Sequence, residues 1–252
     1  MWRKRSCFLL ISASLTFLFS GCTIKEDRTL CPAVLRLGLP SASDSLSVLY
    51  VTLDSPSGKE TTYTCALDSL PVQVSYPVTR ERFPLCVSTE SFAGGNFKIR
   101  EGEQCPELFV YKASARVGGE AAFLSPSLQK EFCRIEVRLE SGQRNLSLCL
   151  RGNYCGMDKS GKLLQGRYRT AFTIGLPVRV PRQGDTSLLL DVEDMDEGVL
   201  RSFAIGEYLA KAGYDWNSPS LEDVAVTLNF AESMVSVKTK LWEHHFTISI
   251  TL

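Results

Sequence analysis

Apolar and polar residues alternate along most of the chain, as they do in β-strands that bury one face. The clearest case is residues 133–140, in which Ile135, Val137 and Leu139 alternate with polar and charged residues and would share one sheet face. Clusters of Gly, Pro, Ser, Asn and Asp separate this segment from others with the same pattern. Those other segments are residues 33–39, 47–53, 72–78, 187–192, 224–230, 235–241 and 246–252. Many short strands separated by turns predict a mainly β protein built from sandwiches.

One segment has helical rather than alternating periodicity. Within residues 203–212, the residues Ile205, Tyr208, Leu209 and Ala212 follow helical spacing, and Gly213 is a natural helix stop. We therefore expect one short helix that packs across one sandwich.

The strand-rich segments fall into two halves, which predicts two domains in tandem. A Ser-Pro-Ser sequence at residues 125–127 lies between the halves and provides a boundary. The expected domains are an N-terminal β-sandwich over residues 33–125 and a C-terminal β-sandwich, with the helix, over residues 126–252.

The first 32 residues have the pattern of an exported bacterial lipoprotein. Basic residues at positions 3–5 precede a mostly apolar segment at 7–19, and two small residues lie directly before Cys22. The apolar segment is too short to cross the ~30 Å hydrocarbon core of a bilayer as a helix. We expect residues 1–21 to be a signal peptide, Cys22 to be lipidated, and residues 22–32 to tether the body to a membrane. Phe19 departs from the small aliphatic residue that is usual three positions before such a cysteine.

The charge of the chain argues against one class of partner. It has 28 basic and 28 acidic residues, so there is no net positive charge to attract the phosphates of nucleic acids. Nucleic-acid binding is therefore not expected.

The chain has nine cysteines, of which Cys7 lies in the signal and Cys22 would carry lipid. The remainder is odd in number and cannot pair completely. Cys31 and Cys105, each followed by proline, are the best candidates for a disulfide. Four others lie in apolar strand-like segments, where a free cysteine packs as a small hydrophobe. These are Cys65, Cys86, Cys133 and Cys149.

Residues 156–162 have the glycine and Gly-Lys spacing of a phosphate-binding loop. Leu163 stands where the motif needs Ser or Thr, and Gly166 soon interrupts any helix. A turn between two strands is the expected structure.

Two other features contain possible metal ligands but lack the arrangement that a metal site needs. His244 and His245 are adjacent, and neighbours on a strand point to opposite faces, so they would not converge on one metal. The acidic cluster at 191–197 lacks the glycine and closing glutamate of a calcium loop, and we interpret it as a solvated loop, with weak cation binding as the alternative. No Gly-x-Ser-x-Gly elbow is present, and the residues suggest no catalytic site, metal site or cofactor.

Several short segments follow one another in a specific order along nearly the whole mature chain. They are residues 22–28 followed by Cys31-Pro32, then residues 150–158, 176–183, 206–209 and 213–216. In their order and spacing they resemble the FimB-type fimbrial anchor lipoproteins of Bacteroidales. The resemblance implies two transthyretin-like β-sandwich domains in tandem. It also implies a surface-exposed, outer-membrane lipoprotein that roots a fimbria, of the type V pilus kind, and is not an enzyme. Lys25, Glu26 and Asp27 resemble the signal that sends such lipoproteins to the outer face of the membrane.

The C-terminal segment is the expected contact with a fimbrial shaft subunit. Phe246, Ile248, Ile250 and Leu252 alternate with Thr and Ser and would share one face. Shafts of the resembling family assemble by strand addition, in which backbone hydrogen bonds give affinity and alternate side chains fill pockets. The alternative is that this strand completes its own sandwich.

A surface lipoprotein that binds glycan or host protein without a fimbria is the rival function. Four aromatic residues would provide its stacking platform, although aromatics at these spacings also suit a core. They are Tyr154, Tyr168, Tyr214 and Trp216.

Overall fold

The fold is taken from a computed structural model of the chain. The structure describes residues 32–42, 46–54, 58–67, 72–140, 145–196, 198–229, 234–239 and 243–247. Ala33–Leu252 forms one compact unit.

The described residues are mainly β, as the alternation predicted, with one short α-helix where the helical spacing predicted it. The helix is α1 (Ile205–Lys211), and no helix in the described part of the chain has the length and apolar character needed to cross a membrane. The strands up to residue 130 are β1 (Ala33–Leu39), β2 (Val48–Asp54), β3 (Glu60–Ala66), β4 (Val72–Val78), β5 (Phe83–Ser88), β6 (Asn96–Lys98), β7 (Phe109–Ala115), β8 (Ala121–Leu124) and β9 (Gln129–Lys130). The later strands are β10 (Phe132–Leu139), β11 (Leu146–Asp158), β12 (Leu163–Phe172), β13 (Pro177–Pro181), β14 (Leu189–Asp194), β15 (Val199–Phe203), β16 (Val224–Asn229), β17 (Met234–Lys238) and β18 (Glu243–Thr247).

These strands form four sheets that make two β-sandwiches in tandem. Sheet A has the order β4-β1-β8 and sheet B the order β3-β2-β5-β7-β9, and together they form the first sandwich. Sheet C has the order β12-β11-β14-β15, with β6 also pairing to β11, and sheet D has the order β13-β10-β16-β17-β18. Sheets C and D form the second sandwich. The expected boundary at residue 126 lies between β8 and β9.

Each sandwich buries the apolar face of its strands. In sheet A, alternate residues of β1 from Ala33 to Leu39 are buried, and they pack with residues of sheet B such as Leu49 and Val87. The second core is larger and includes Ile135, Val137 and Val226 of sheet D. The period-2 pattern of the sequence therefore identifies the buried faces correctly.

The two halves of the chain exchange elements across the junction between the sandwiches. Strand β6, from the first half, pairs antiparallel with the end of β11, while β9 pairs with β7. The second core also takes in apolar residues from the first half, among them Phe92, Ile99 and Leu108. The sandwiches are thus joined by shared backbone pairing and shared core.

Charged side chains reinforce this junction. Lys159, in the turn between β11 and β12, reaches the hairpin between β2 and β3, and its Nζ lies 2.7 Å from carboxylate oxygens of both Asp54 and Glu60. Glu131, whose side chain is 3% exposed, forms ion pairs with Lys112 of sheet B and with Arg182 beyond β13. Because Glu131 is buried, its two cationic partners compensate a charge that would otherwise be costly in the interior.

Candidate functional site at the C-terminal edge strand

The residues that the sequence offered as functional lie at the two ends of the chain. Cys22 and the export-signal residues Lys25, Glu26 and Asp27 lie outside the described residues. The same holds for Ile248, Ile250 and Leu252 of the expected partner-binding face, whereas Phe246 belongs to β18. The site can therefore be built from β18 and its surroundings.

Strand β18 is at one edge of sheet D. It pairs antiparallel with β17, with Lys238 opposite Glu243 and Met234 opposite Thr247. Within the described residues no strand pairs with its other side, so this side presents backbone N–H and C=O groups to an additional strand. Such an edge is the structural requirement for strand addition.

The two faces of β18 carry different side chains. Phe246 lies opposite Val235 on the face toward the core, and its ring stacks on Tyr208 of α1 with centroids 5.1 Å apart. Tyr208 is half-buried, and burial raises its pKa. Helix α1 thus contacts the C-terminal strand through one aromatic pair. The helical spacing of the sequence placed Tyr208 on the packed face of the helix but did not show that it contacts β18.

Polar contacts hold the outer face of β18. The Oγ of Ser236 lies 2.6 Å from Nδ1 of His245, and Nζ of Lys238 lies 2.9 Å from Oε2 of Glu243. The hydrogen bond from Lys238 lowers the pKa of Glu243. Both partners of this ion pair are exposed, so we expect it to add little to stability.

At least part of the C-terminal segment therefore completes its own sheet, as the alternative interpretation of the sequence had it. The strand begins at Glu243, three residues before residue 246, where the alternating segment was expected to begin. Phe246 is on the core side of sheet D, and a partner that uses this residue must compete with Tyr208.

The first strand of the body is held differently. Strand β1 is the central strand of sheet A, paired antiparallel with β4 and parallel with β8. Alternate residues of β1 are at most 2% exposed, which shows that the strand already fills its position in the first sandwich. No incoming strand can take that position while β1 occupies it.

The adjacent histidines diverge, as strand geometry predicted. His245 contacts Ser236 on the outer face, while the ring of His244 lies near Phe246 on the other face, with centroids 6.4 Å apart. Among the described residues no group of three or more His, Cys, Asp or Glu side chains is placed to hold a metal ion.

The segment with phosphate-loop spacing is a hairpin turn. Asp158 ends β11, and its Oδ1 accepts hydrogen bonds from the backbone N–H groups of Ser160 and Lys162 at 2.8 and 2.9 Å. Burial works to raise the pKa of Asp158, but the hydrogen bond from the Ser160 hydroxyl, together with those from the backbone, outweighs it and lowers that pKa. Gly161, with φ of +91°, closes the turn before β12. The predicted turn between two strands is confirmed.

Gly156 has a role that the sequence did not reveal. A Cβ at this position would lie 2.0 Å from the backbone oxygen of Phe97, so only glycine allows β6 to approach β11. This glycine serves the junction of the two sandwiches.

The acidic cluster at 191–197 is not simply the solvated loop that the sequence suggested. Its first part belongs to β14, which runs to Asp194, and Asp194 itself is buried. Asp191 forms an ion pair with Arg151 across sheet C. Glu193 on β14 is exposed, as are Met195 and Asp196 in the turn that follows the strand, so the cluster is partly a paired strand and partly a solvated turn.

The aromatic residues proposed for glycan stacking belong mainly to the core. Tyr168, Tyr214 and Trp216 are at most 9% exposed. The Tyr168 hydroxyl donates to the backbone oxygen of Arg179, and burial raises the pKa of this phenol above its ordinary value. These rings are not available as a surface platform.

The cysteines behave as small hydrophobes. Cys65, Cys86 and Cys133 are buried free thiols, as predicted, and burial raises the pKa of Cys86 to about 11. Cys149 is only partly buried. Cys105 is also a buried free thiol in the structure, although the sequence offered it as a disulfide partner of Cys31, which lies outside the described residues.

Comparison with known proteins finds similarity in structure only. No protein-family model and no curated protein matches the sequence. Among solved structures, the fimbrial anchor protein Mfa2 from Porphyromonas gingivalis has a TM-score of 0.60 at 9% identity, over 85% of this chain and 99% of that one. A candidate polysaccharide-binding protein from Bacteroides thetaiotaomicron has a TM-score of 0.65 at 10% identity, over 85% of this chain and 98% of that one. A fimbrial assembly protein from Parabacteroides distasonis has a TM-score of 0.52 at 8% identity, over 86% and 98% of the two chains.

At these identities the similarity concerns the fold. It extends over nearly the full length of each solved structure, and so includes both sandwiches. The fold that the resemblance to fimbrial anchor lipoproteins implied is therefore the fold of this chain.

Proposed function

We propose that this protein is an outer-membrane lipoprotein that anchors a fimbria to the cell surface. The observation that carries the proposal is the shared two-sandwich fold, which extends over 99% of the length of the fimbrial anchor Mfa2. The expected signal peptide at residues 1–21, followed directly by Cys22, supports it independently, because lipid on this cysteine would attach the body to a membrane. The proposed role needs neither catalysis nor a cofactor.

The membrane end of the anchor is the lipidated Cys22, followed by the export signal Lys25, Glu26 and Asp27. The tether at residues 22–32 leads directly into β1. Because β1 is hydrogen-bonded to a strand on each side, a pull on the lipid is shared between two ladders. A central strand suits an element that must bear load between a membrane and a filament.

The fimbrial end of the anchor is the C-terminal segment, which would act as donor toward a shaft subunit. Strand β1 occupies its own position in sheet A, which argues against an acceptor role there. The edge of β18 is open within the described residues, and Phe246 is the first residue of the expected partner-binding face. Ile248, Ile250 and Leu252 would continue this face into the shaft subunit, with alternate side chains in its pockets.

The membrane attachment is tested by Cys22→Ala. We expect the variant to lose lipid and to leave the outer-membrane fraction, measured by detergent partitioning and mass spectrometry of the intact protein. Cys149→Ala, which changes a partly buried cysteine of the body, is the matched control and should stay in the membrane. A Cys22→Ala protein that still partitions with the outer membrane would refute the lipoprotein assignment.

The fimbrial contact is tested by crosslinking and truncation. A photo-crosslinking amino acid at His245, on the open edge strand, should capture a shaft subunit, whereas one at Arg138, on the outer face of central strand β10, should not. Truncation after Thr247 should leave the protein folded and in the membrane while fimbriae detach into the medium. Fimbriae that stay attached to truncated protein, with no crosslink at His245, would rule out this contact.

A further inference from the structure

The strand edges of the second sandwich differ in how they are closed. The loop between β6 and β7 covers one edge of each sheet, because the N–H of Gly102 donates to the backbone oxygen of Arg169 on β12 at 2.7 Å and the N–H of Cys105 donates to that of Arg179 on β13 at 3.1 Å. At the opposite edge of sheet C, β15 is paired with β14 alone within the described residues. The edge of β15 is therefore open to a further strand, separately from the edge of β18.

The hairpin of β14 and β15 concentrates exposed apolar side chains. Met195, Val199 and Leu200 are 54%, 38% and 62% exposed, and they are three of the five large hydrophobic side chains that the described residues expose. An exposed edge strand is usually protected by lysine, proline or a bulge, and β15 has none of these. An edge of this kind is suited to pairing with another extended segment.

The outer face of sheet C is acidic beside β15. Leu200 lies opposite Glu193, and Ser202 lies opposite Asp191 and donates its hydroxyl to that carboxylate at 2.6 Å, so these four side chains share the outer face. Arg151 compensates the charge of Asp191, whereas Glu193 is exposed and forms no ion pair with a described residue. A segment that pairs with β15 therefore meets an uncompensated carboxylate next to Leu200.

The arginines of this region are placed away from that carboxylate. Arg167 and Arg169 lie on β12, two strands away from β14. Arg201 is on β15 itself, but it lies opposite the buried Val192 and is therefore on the inner face. Asp196, in the turn before β15, adds a further exposed carboxylate. Carboxylates also outnumber arginines along the depressions of the outer face, so charge complementarity favours a basic partner.

We infer that the edge of β15 binds an extended segment of a partner protein in which basic and apolar residues alternate. The backbone of the segment pairs with the open edge, and its apolar side chains cover Val199 on the inner face. On the outer face, the aliphatic stem of a lysine or arginine packs along Leu200 while its charge reaches Glu193. The inference goes beyond anchoring and does not depend on it, because the proposed contact with a shaft subunit uses β18 and the segment that follows it.

Titration of the purified protein with a capped heptapeptide of alternating lysine and valine tests the inference by calorimetry. This peptide should bind with a dissociation constant below about 1 mM. A peptide with glutamate in place of lysine should bind at least about tenfold more weakly, because like charges then face each other. Two further peptides carry N-methyl groups on the lysines or on the valines, and at least one of them should lose binding about tenfold, because a strand addition needs the backbone N–H groups on one side.

Two variants locate the binding at β15. Leu200→Ala should weaken binding of the lysine-valine peptide at least about threefold, through lost apolar contact. Its matched control is Leu176→Ala, at a position 60% exposed in the turn before β13, which should bind as the wild type does. Glu193→Lys should weaken binding at least about fivefold by charge reversal, and Glu81→Lys, at an exposed position of the first sandwich, is the control.

Four results would overturn the inference. The first is no binding of the lysine-valine peptide up to about 1 mM, and the second is equal binding of the glutamate peptide. The third is unchanged binding by both N-methylated peptides. The fourth is unchanged binding by Leu200→Ala and Glu193→Lys, which would place the peptide elsewhere, for example on β18. None of these results bears on fimbrial attachment, which is read from crosslinking at His245 and membrane fractionation.

Discussion

The first and last described strands of the body, β1 and β18, are held in opposite ways. Strand β1 is paired on both sides and buries alternate residues almost completely. Strand β18 is paired on one side within the described residues and is held by one aromatic stack and two polar contacts. Strand β1 is therefore part of a core, whereas β18 has one open edge within the described residues, as the proposed contact with a shaft subunit requires.

The largest effect on stability is expected in strand β1. Leu37→Ala in β1 removes a side chain with no solvent exposure, and we expect a loss of about 2–5 kcal/mol in the free energy of unfolding, measured with urea. Leu200→Ala, at a position 62% exposed, is the control and should change it by less than about 0.5 kcal/mol. A loss as small for Leu37 as for Leu200 would contradict the contrast between β1 and β18.

The second prediction tests whether the two strands belong to one cooperative body. Glu131→Gln removes the buried charge that pairs with Lys112 and Arg182, and leaves both cations less compensated. We expect a loss of about 2–3 kcal/mol, below the usual cost for breaking a fully buried pair because both cations retain some exposure. Unfolding should remain a single transition in the wild type, by fluorescence and by circular dichroism. Two separate transitions would show that the sandwiches unfold independently.

A smaller effect on the free energy of unfolding is expected in strand β18. Phe246→Ala removes a partly buried ring, and we expect a loss of about 1–2 kcal/mol, less than for a fully buried phenylalanine. Combining it with Tyr208→Ala in a double-mutant cycle should give a coupling energy of about 0.5–1.5 kcal/mol. Absence of coupling would mean that the stack does not hold β18.

The smallest effect is expected on the surface of β18. Lys238→Ala removes the ion pair with Glu243, whose partners are 60% and 42% exposed, and should leave the melting temperature at pH 7 unchanged within error. Because Lys238 lowers the pKa of Glu243, any contribution is present at neutral pH and disappears as the pH falls through that lowered pKa. Melting curves at pH 7 and pH 3 check both statements. A clear loss at pH 7 would show that β18 is held more firmly than its contacts indicate.

The bounds of strands and of the helix were predicted most accurately in segments whose hydrophobic pattern is unbroken. Strands β1 and β4 have the bounds that the alternation gave, and α1 lies within the predicted helical segment. The long hairpin of β11 and β12 was less visible, because glycines such as Gly152 and Gly156 interrupt the alternation and the pairing contains register shifts. At the candidate site, the alternation identified Phe246 as a face-forming residue but could not show that Tyr208 covers it.

By itself, the sequence determined the buried faces of the strands with an unbroken alternation, such as β1 and β10, together with the short helix and the turn at Asp158. All of these depend on residues close together in the chain, where side-chain direction follows from backbone periodicity. Only the tertiary structure decided which strands pair, that β1 runs parallel to β8, and that β6 crosses to β11. It also brought Lys159 to Asp54, 105 residues away, and placed the loop at Gly102 of the first half against Arg169 of the second half. Such contacts depend on the combined packing of distant segments, and no local period encodes them.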